Sequence, residues 1–148
     1  MVSHGGRRWL AIHFAARTNN VAHAGLLLRY GANPNHPDSF NRPPLFIAMH
    51  WDHCEIVRLL LRHGARLDMV DDGKMTVLHY AARYSNAPTL RLLCREDLHG
   101  ISRNCRDSQG QTPPEGFLRT RPLMMSKTED ENLVAREIFD QLLNGTGG

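Results

Sequence analysis

Nine histidines, three cysteines and a set of arginines are the residues of this chain able to hold a metal, move a proton or bind an anion. His50, His53 and Cys54 stand three and four residues apart, a spacing at which side chains on one helical turn could converge on a metal. Their surroundings argue otherwise: Cys54 falls at an apolar position of a helical pattern and His53 at the turn before it. His13 and His79 would need a facing carboxylate or thiol to act as acid or base, and none is suitably spaced. The glycines form neither a GxxxxGK[ST] loop nor a strand-GxGxxG-helix. Asn144-Gly145-Thr146 matches a glycosylation acceptor, but with no secretory signal it reads as a helix stop. No catalytic site, metal or cofactor is therefore expected. What the arginines offer is binding.

The chain of 148 residues is long enough for one compact domain or a short array of repeats. Its composition, 41% hydrophobic and 22% charged, is that of an ordinary soluble protein. No apolar run reaches the roughly 18 residues that span a bilayer, and MVSHGGRRWL lacks the apolar core of a signal peptide. Cys54, Cys94 and Cys105 are few and odd in number, which favours reduced thiols. An intracellular protein, cytoplasmic or nuclear, is expected. The net charge of +3 favours anionic partners only weakly.

The elements that must position these residues recur. Gly31 and Gly64, each closing a leucine run, are 33 residues apart; the same interval separates His13, Phe46 and His79, and Ala15, Ala48 and Ala81. A fixed period of this size marks a solenoid. Four copies are expected, over 5–37, 38–70, 71–106 and 107–143, with 144–148 as a tail. In each, a short helix is followed by a second, leucine-rich one. Pro44 suits the first position of a helix, where its missing N–H had no partner, and Thr76 suits a helix cap. Ile56, Val57, Leu60 and Leu61 form an amphipathic face that a neighbouring copy must cover. Thr112 lies 36 residues after Thr76, so three residues are inserted between the third and fourth copies. Pro114 and Gly116 weaken the next helix, and RPLMMSK lengthens the loop behind it. Thr128 and Glu131 then form a capping box, opening a helix whose apolar stripe runs from Leu133 to Leu143. Cys94, at the position of Leu61, reads as a small core residue.

These motifs resemble the ankyrin repeat. The likeness rests on Thr76, Leu78, His79, Ala81 and Ala82, on Ile56, Val57, Leu59, Leu60, Gly64 and Ala65, and on Gly31, Ala32 and Asn35, and it covers about residues 5 to 143. It implies an all-α solenoid of stacked antiparallel helix pairs joined by β-turn loops, with a concave face that binds other proteins and no chemistry of its own. It also implies that His13 and His79 bond neighbouring loops. Copies one and four depart most, as terminal repeats do.

Laid on one another, the copies place Arg17, His50, Arg83 and Arg119 in one column of the concave face and Thr18, Trp51, Tyr84 and Thr120 in the next. Loop positions add Arg7 and Trp9, Phe40 and Arg42, and Asp72 and Met75. Aromatic and arginine side chains of this kind are enriched at binding hot spots. The expected binding surface is Trp9, Arg17, Phe40, Arg42, His50, Trp51, Met75, Arg83 and Tyr84. The expected partner is another protein, presenting an acidic, extended segment. The alternative is a polyanion, either nucleic acid or an anionic membrane surface, held by the basic and aromatic stripe. The small charge excess makes nucleic acid the poorer candidate.

Overall fold

A computed structural model of the protein describes residues 10–120 and 128–146, and among them are eight α-helices and no strand. They are α1 (Ala11–Thr18), α2 (Val21–Arg29), α3 (Pro44–His50), α4 (Cys54–Arg62), α5 (Val77–Tyr84), α6 (Ala87–Leu93), α7 (Pro113–Thr120) and α8 (Glu129–Thr146). They stack in two layers. In the inner layer α1 packs on α3, α3 on α5 and α5 on α7; in the outer one α2 packs on α4, α4 on α6 and α6 on α8. None of the described helices is long and apolar enough to cross a membrane.

Each inner helix is started by a local device. At α1 and α5 a histidine three residues into the helix reaches back: His13 Nδ1 accepts the Leu10 N–H at 3.2 Å and His79 Nδ1 the Thr76 N–H at 3.1 Å. At α3 two prolines replace it, Pro43 at the cap and Pro44 at the first helical position. At α7 Glu115 does the same work as the histidines, accepting the Thr112 N–H at 2.8 Å. This carboxylate cap explains why α7 forms despite Pro114 and Gly116. Glycines end the outer helices of the first two pairs: Gly31 and Gly64 take φ of +91° and +84°, conformations that a Cβ disfavours. The corresponding left-handed glycine after α6 is Gly100, at +85°. It lies 36 residues beyond Gly64, so the three inserted residues sit between α6 and Gly100, where Leu98 is buried.

The loops before α3, α5 and α7 share one turn. Asp38, Asp71 and Asp107 each donate their N–H to the carbonyl four residues on, that of Arg42, Met75 and Gln111, at 3.0 to 3.2 Å. Each carboxylate also accepts loop N–H groups, such as those of Arg42, Met75 and Gln111 at 2.9 to 3.0 Å. Successive loops are bonded together by Asp72 N–H to the Phe40 carbonyl at 3.0 Å and Ser108 N–H to the Gly73 carbonyl at 2.8 Å.

The core runs unbroken through the stack. Leu45, Phe46, Met49, Ile56, Leu60, Leu78, Leu90 and Leu93 are all fully buried, each such side chain contributing at most about 1.5–3 kcal/mol. Phe46 takes the place that His13 and His79 hold in their copies, and instead of a loop bond it stacks on Tyr80 at 4.4 Å. Two local expectations change. Cys94, read from the sequence as a core residue, is exposed, because α6 ends at Leu93 and leaves Cys94 as its C-cap, whereas Leu61 still lies within α4. α8 runs on through 144–146, past the Asn144-Gly145 pair expected to stop it; helix ends fray over a residue or two.

Candidate functional site

The C-terminal ends of the inner helices bring four of the expected residues into one row. The Arg17 guanidinium lies 6.0 Å from the Trp51 ring, Trp51 meets His50 edge to face at 5.2 Å, and His50 lies against Tyr84 at 4.4 Å. The row therefore crosses three helix pairs. Trp51 is exposed, as are Arg17 and His50, while Tyr84 is half-buried. Arg119, one pair further, is exposed as well. Although the His50 residue is exposed, its imidazole is desolvated by the Trp51 and Tyr84 rings packed on it, and this first, then the positive charge of Arg42, hold its pKa below the ordinary value, so the imidazole is neutral at pH 7. The ladder is a neutral aromatic surface flanked by a cation.

The remaining expected residues have other work. Arg42 is tied to the buried Asp38, with Nε at 2.9 Å and Nη2 at 2.8 Å from Oδ2, and its guanidinium also lies 5.1 Å from the exposed Phe40 ring. Arg83 turns away from the row: its side chain is 12% exposed and pairs with Asp107, which is 1% exposed. Arg83 also donates to Gln111 Oε1 at 3.1 Å and to Met75 Sδ at 3.6 Å. Thus Met75 lies beneath this arginine. Trp9, like Arg7, lies outside the described residues.

Gly116 makes room for that arginine. A Cβ there would come within 3.2 Å of Arg83 Nε, so the glycine that weakens α7 as a helix lets a guanidinium cross it. Burial would raise the Asp107 pKa, but the N–H groups of Gln111 and Gln109 and the charge of Arg83 outweigh it and hold the carboxyl below its ordinary value.

The two motif histidines are structural. Since His79 Nδ1 accepts the Thr76 N–H, the neutral ring carries its proton on Nε2, which donates to the Gln111 carbonyl at 3.0 Å. His13 Nδ1 likewise accepts an N–H, that of Leu10, and the backbone of Arg42 and His36 beside its ring raises its pKa against the effect of burial. Burial is the largest influence on both and lowers their pKa. His53 Nε2 bonds the Arg17 carbonyl at 3.0 Å, tying the base of one inner helix to the next pair. Among the described residues no three His, Cys, Asp or Glu side chains gather as metal ligands would.

Family models describing ankyrin repeats match residues 2–71 and 60–115, which together span most of the chain. The chain belongs to the ankyrin-repeat family. It is 36% identical over 106 residues to human cyclin-dependent kinase inhibitor 2A, covering 71% of this chain and 64% of that protein. It is 34% identical over 102 residues to the transient receptor potential cation channel subfamily A member 1 homolog of Caenorhabditis elegans, and 32% identical over 106 residues to human inversin. These cover 69% and 70% of this chain but only 8% and 10% of the two relatives. The ankyrin chain thus spans under two thirds of the first relative's length and a tenth or less of the others.

Sequence reasoning missed the loop carboxylates. Asp38, Asp71 and Asp107 recur with the ankyrin period and its three-residue insertion, and each lies close before an arginine, a tyrosine or a helix cap it serves. It also missed Asp52, whose Oδ1 accepts the Asn86 N–H at 3.0 Å and the Thr89 hydroxyl at 2.9 Å, joining the second pair to the third.

Proposed function

We infer that this chain is a non-catalytic protein-binding module whose concave face receives an extended, acidic segment of another protein. The observation that carries the reading is the continuous row of Arg17, Trp51, His50 and Tyr84 across three helix pairs. Rigid aromatic surface gives contact area at little entropic cost, and a guanidinium at its end supplies charge. Ankyrin-repeat relatives support the class, one of them being by name a kinase inhibitor. The polyanion alternative is less well supported, because Arg42 and Arg83 already face buried carboxylates.

The ion pairs also choose the test. Arg83→Glu would put a carboxylate against Asp107 and disturb the fold, so the informative variant is Arg17→Glu with Trp51→Ala. A protein captured by the wild type and by the outer-helix control Arg91→Glu, but lost with the double variant, supports the concave face. Retention by all three contradicts it. Binding that falls steeply with salt for any nucleic-acid sequence would instead mark a polyanion.

A further inference from the structure

The outer layer carries arginines that no carboxylate neutralises. Elsewhere arginines hold acids: Arg42 and Arg66 lie 2.8 Å from Asp38 and Asp68, Arg83 pairs with Asp107, and Arg106 lies 3.4 Å from Glu115. Arg29, Arg62 and Arg95 recur at the 33-residue interval and are exposed. Among the described residues none of the three is in an ion pair. The helix dipole favours a cation in the last turn, which accounts for Arg29 and Arg62 one at a time. It does not account for Arg58, a full turn earlier, or for what these side chains enclose.

Between α4 and α6 lies a cavity of about 290 Å³, lined by Arg58, Leu61 and Arg62 on one side and by Leu92, Arg95 and Glu96 on the other. Residues three and four apart share a helical face, so the three from α4 form one wall. Arg58 is only weakly engaged. Its Nη2 lies 3.6 Å from Glu55, in a pair whose side chains are 43% and 61% exposed, and its Nε is shielded from solvent with no hydrogen-bond partner among the described residues. Asp97 does not line the cavity; its carboxylate accepts the His99 N–H at 2.9 Å. Three arginines against Glu96 leave the wall with a net charge of +2.

We propose that this cavity of the outer layer binds a phosphate monoester. Such a group carries a charge of about −1.5 to −2 at pH 7 and three strong acceptor oxygens. That matches the charge of the wall and the donors of three guanidinium forks better than a carboxylate does, with its single charge and two oxygens. Leu61 and Leu92 give the carbon skeleton of the ester an apolar surface. The cavity belongs to the outer helices, whereas the row from Arg17 to Tyr84 belongs to the inner ones, so neither reading rests on the other.

Phenyl phosphate, benzoate and inorganic phosphate, each titrated into the isotope-labelled full chain at constant ionic strength and followed by amide NMR shifts, test this. Phenyl phosphate should bind saturably and move the amides around Arg62 and Arg95. Benzoate has the ring with less charge, and inorganic phosphate the charge without the ring, so each should bind more weakly. Arg62 and Arg95 are exposed, so circular dichroism should show Arg62→Ala and Arg95→Ala folded. Each should weaken phenyl phosphate about tenfold, the loss of a charge-assisted hydrogen bond. Glu96→Gln should tighten it, while Arg66→Ala, whose arginine is tied to Asp68, should leave it unchanged. Shifts that grow without saturating, an affinity untouched by Arg62→Ala and Arg95→Ala, or inorganic phosphate binding as tightly as the ester would overturn the proposal.

Discussion

At one and the same repeat position the middle of the stack hides Ile47 and Tyr80 while Phe14 of the first pair is 43% exposed; at another, Met49 and Ala82 are sealed and Leu118 is not. The residue types are comparable, so the difference is made by neighbours. A helix pair here buries only part of its apolar surface within itself, and the rest is buried by the pair on either side. Among the described residues the middle pairs α3–α4 and α5–α6 meet a helix pair on both flanks, while α1–α2 and α7–α8 meet one on a single flank. The fourth pair is attached partly by other means: its inner helix meets the third through the Arg83 and Asp107 ion pair laid over Gly116.

The sharpest way to break the comparison is to open a cavity in the middle. Phe46→Ala, in a fully buried site stacked on Tyr80, should cost about 3–5 kcal/mol, read as a fall in the urea midpoint. A cost below 1 kcal/mol would mean that the pairs do not share a core. Arg83→Ala leaves Asp107 buried without its cation and should cost about 3 kcal/mol. The loss should be local, seen as new proteolytic cleavage between α6 and α7 while α1 to α4 stay resistant.

Gly64→Ala places a Cβ in open space at φ +84°, so the backbone alone sets its cost at about 1–2 kcal/mol; thermal melting checks it. Acid should act through the histidines. The folded-state pKa of His13 and His79 lies below the ordinary 6.5, so the unfolded chain takes up protons first. Stability is then full above about pH 6.5 and declines below it, and His79→Gln should flatten that decline. Asp107 works in another window: its lowered pKa keeps its contribution above about pH 3.8, to be lost as pH falls through the folded value. Smallest of all should be Leu26→Ala, at an exposed position of α2, about 0.5 kcal/mol or less.

The repeat, its helices and the insertion were legible because glycines, leucines and alanines recur at a fixed interval, and such intervals report which residues occupy equivalent places. Equivalence is all they report. Arg17, His50 and Arg83 fall in one column of the sequence, yet only the first two belong to the exposed row, since Asp107 lies within reach of Arg83. That pairing joins residues 24 apart across an irregular connection, which no period predicts. Glu115 was hidden for a related reason: in α7 a carboxylate does what histidine does in α1 and α5.

Native-state hydrogen exchange, resolved helix by helix, bears most directly on the idea that neighbouring pairs complete one another. The slowest amides should lie in α3 to α6, with α1 and α2 opening at lower free energy and α7 and α8 opening separately from them. Equal protection through all eight helices, or greatest protection in α1 and α2, would contradict it.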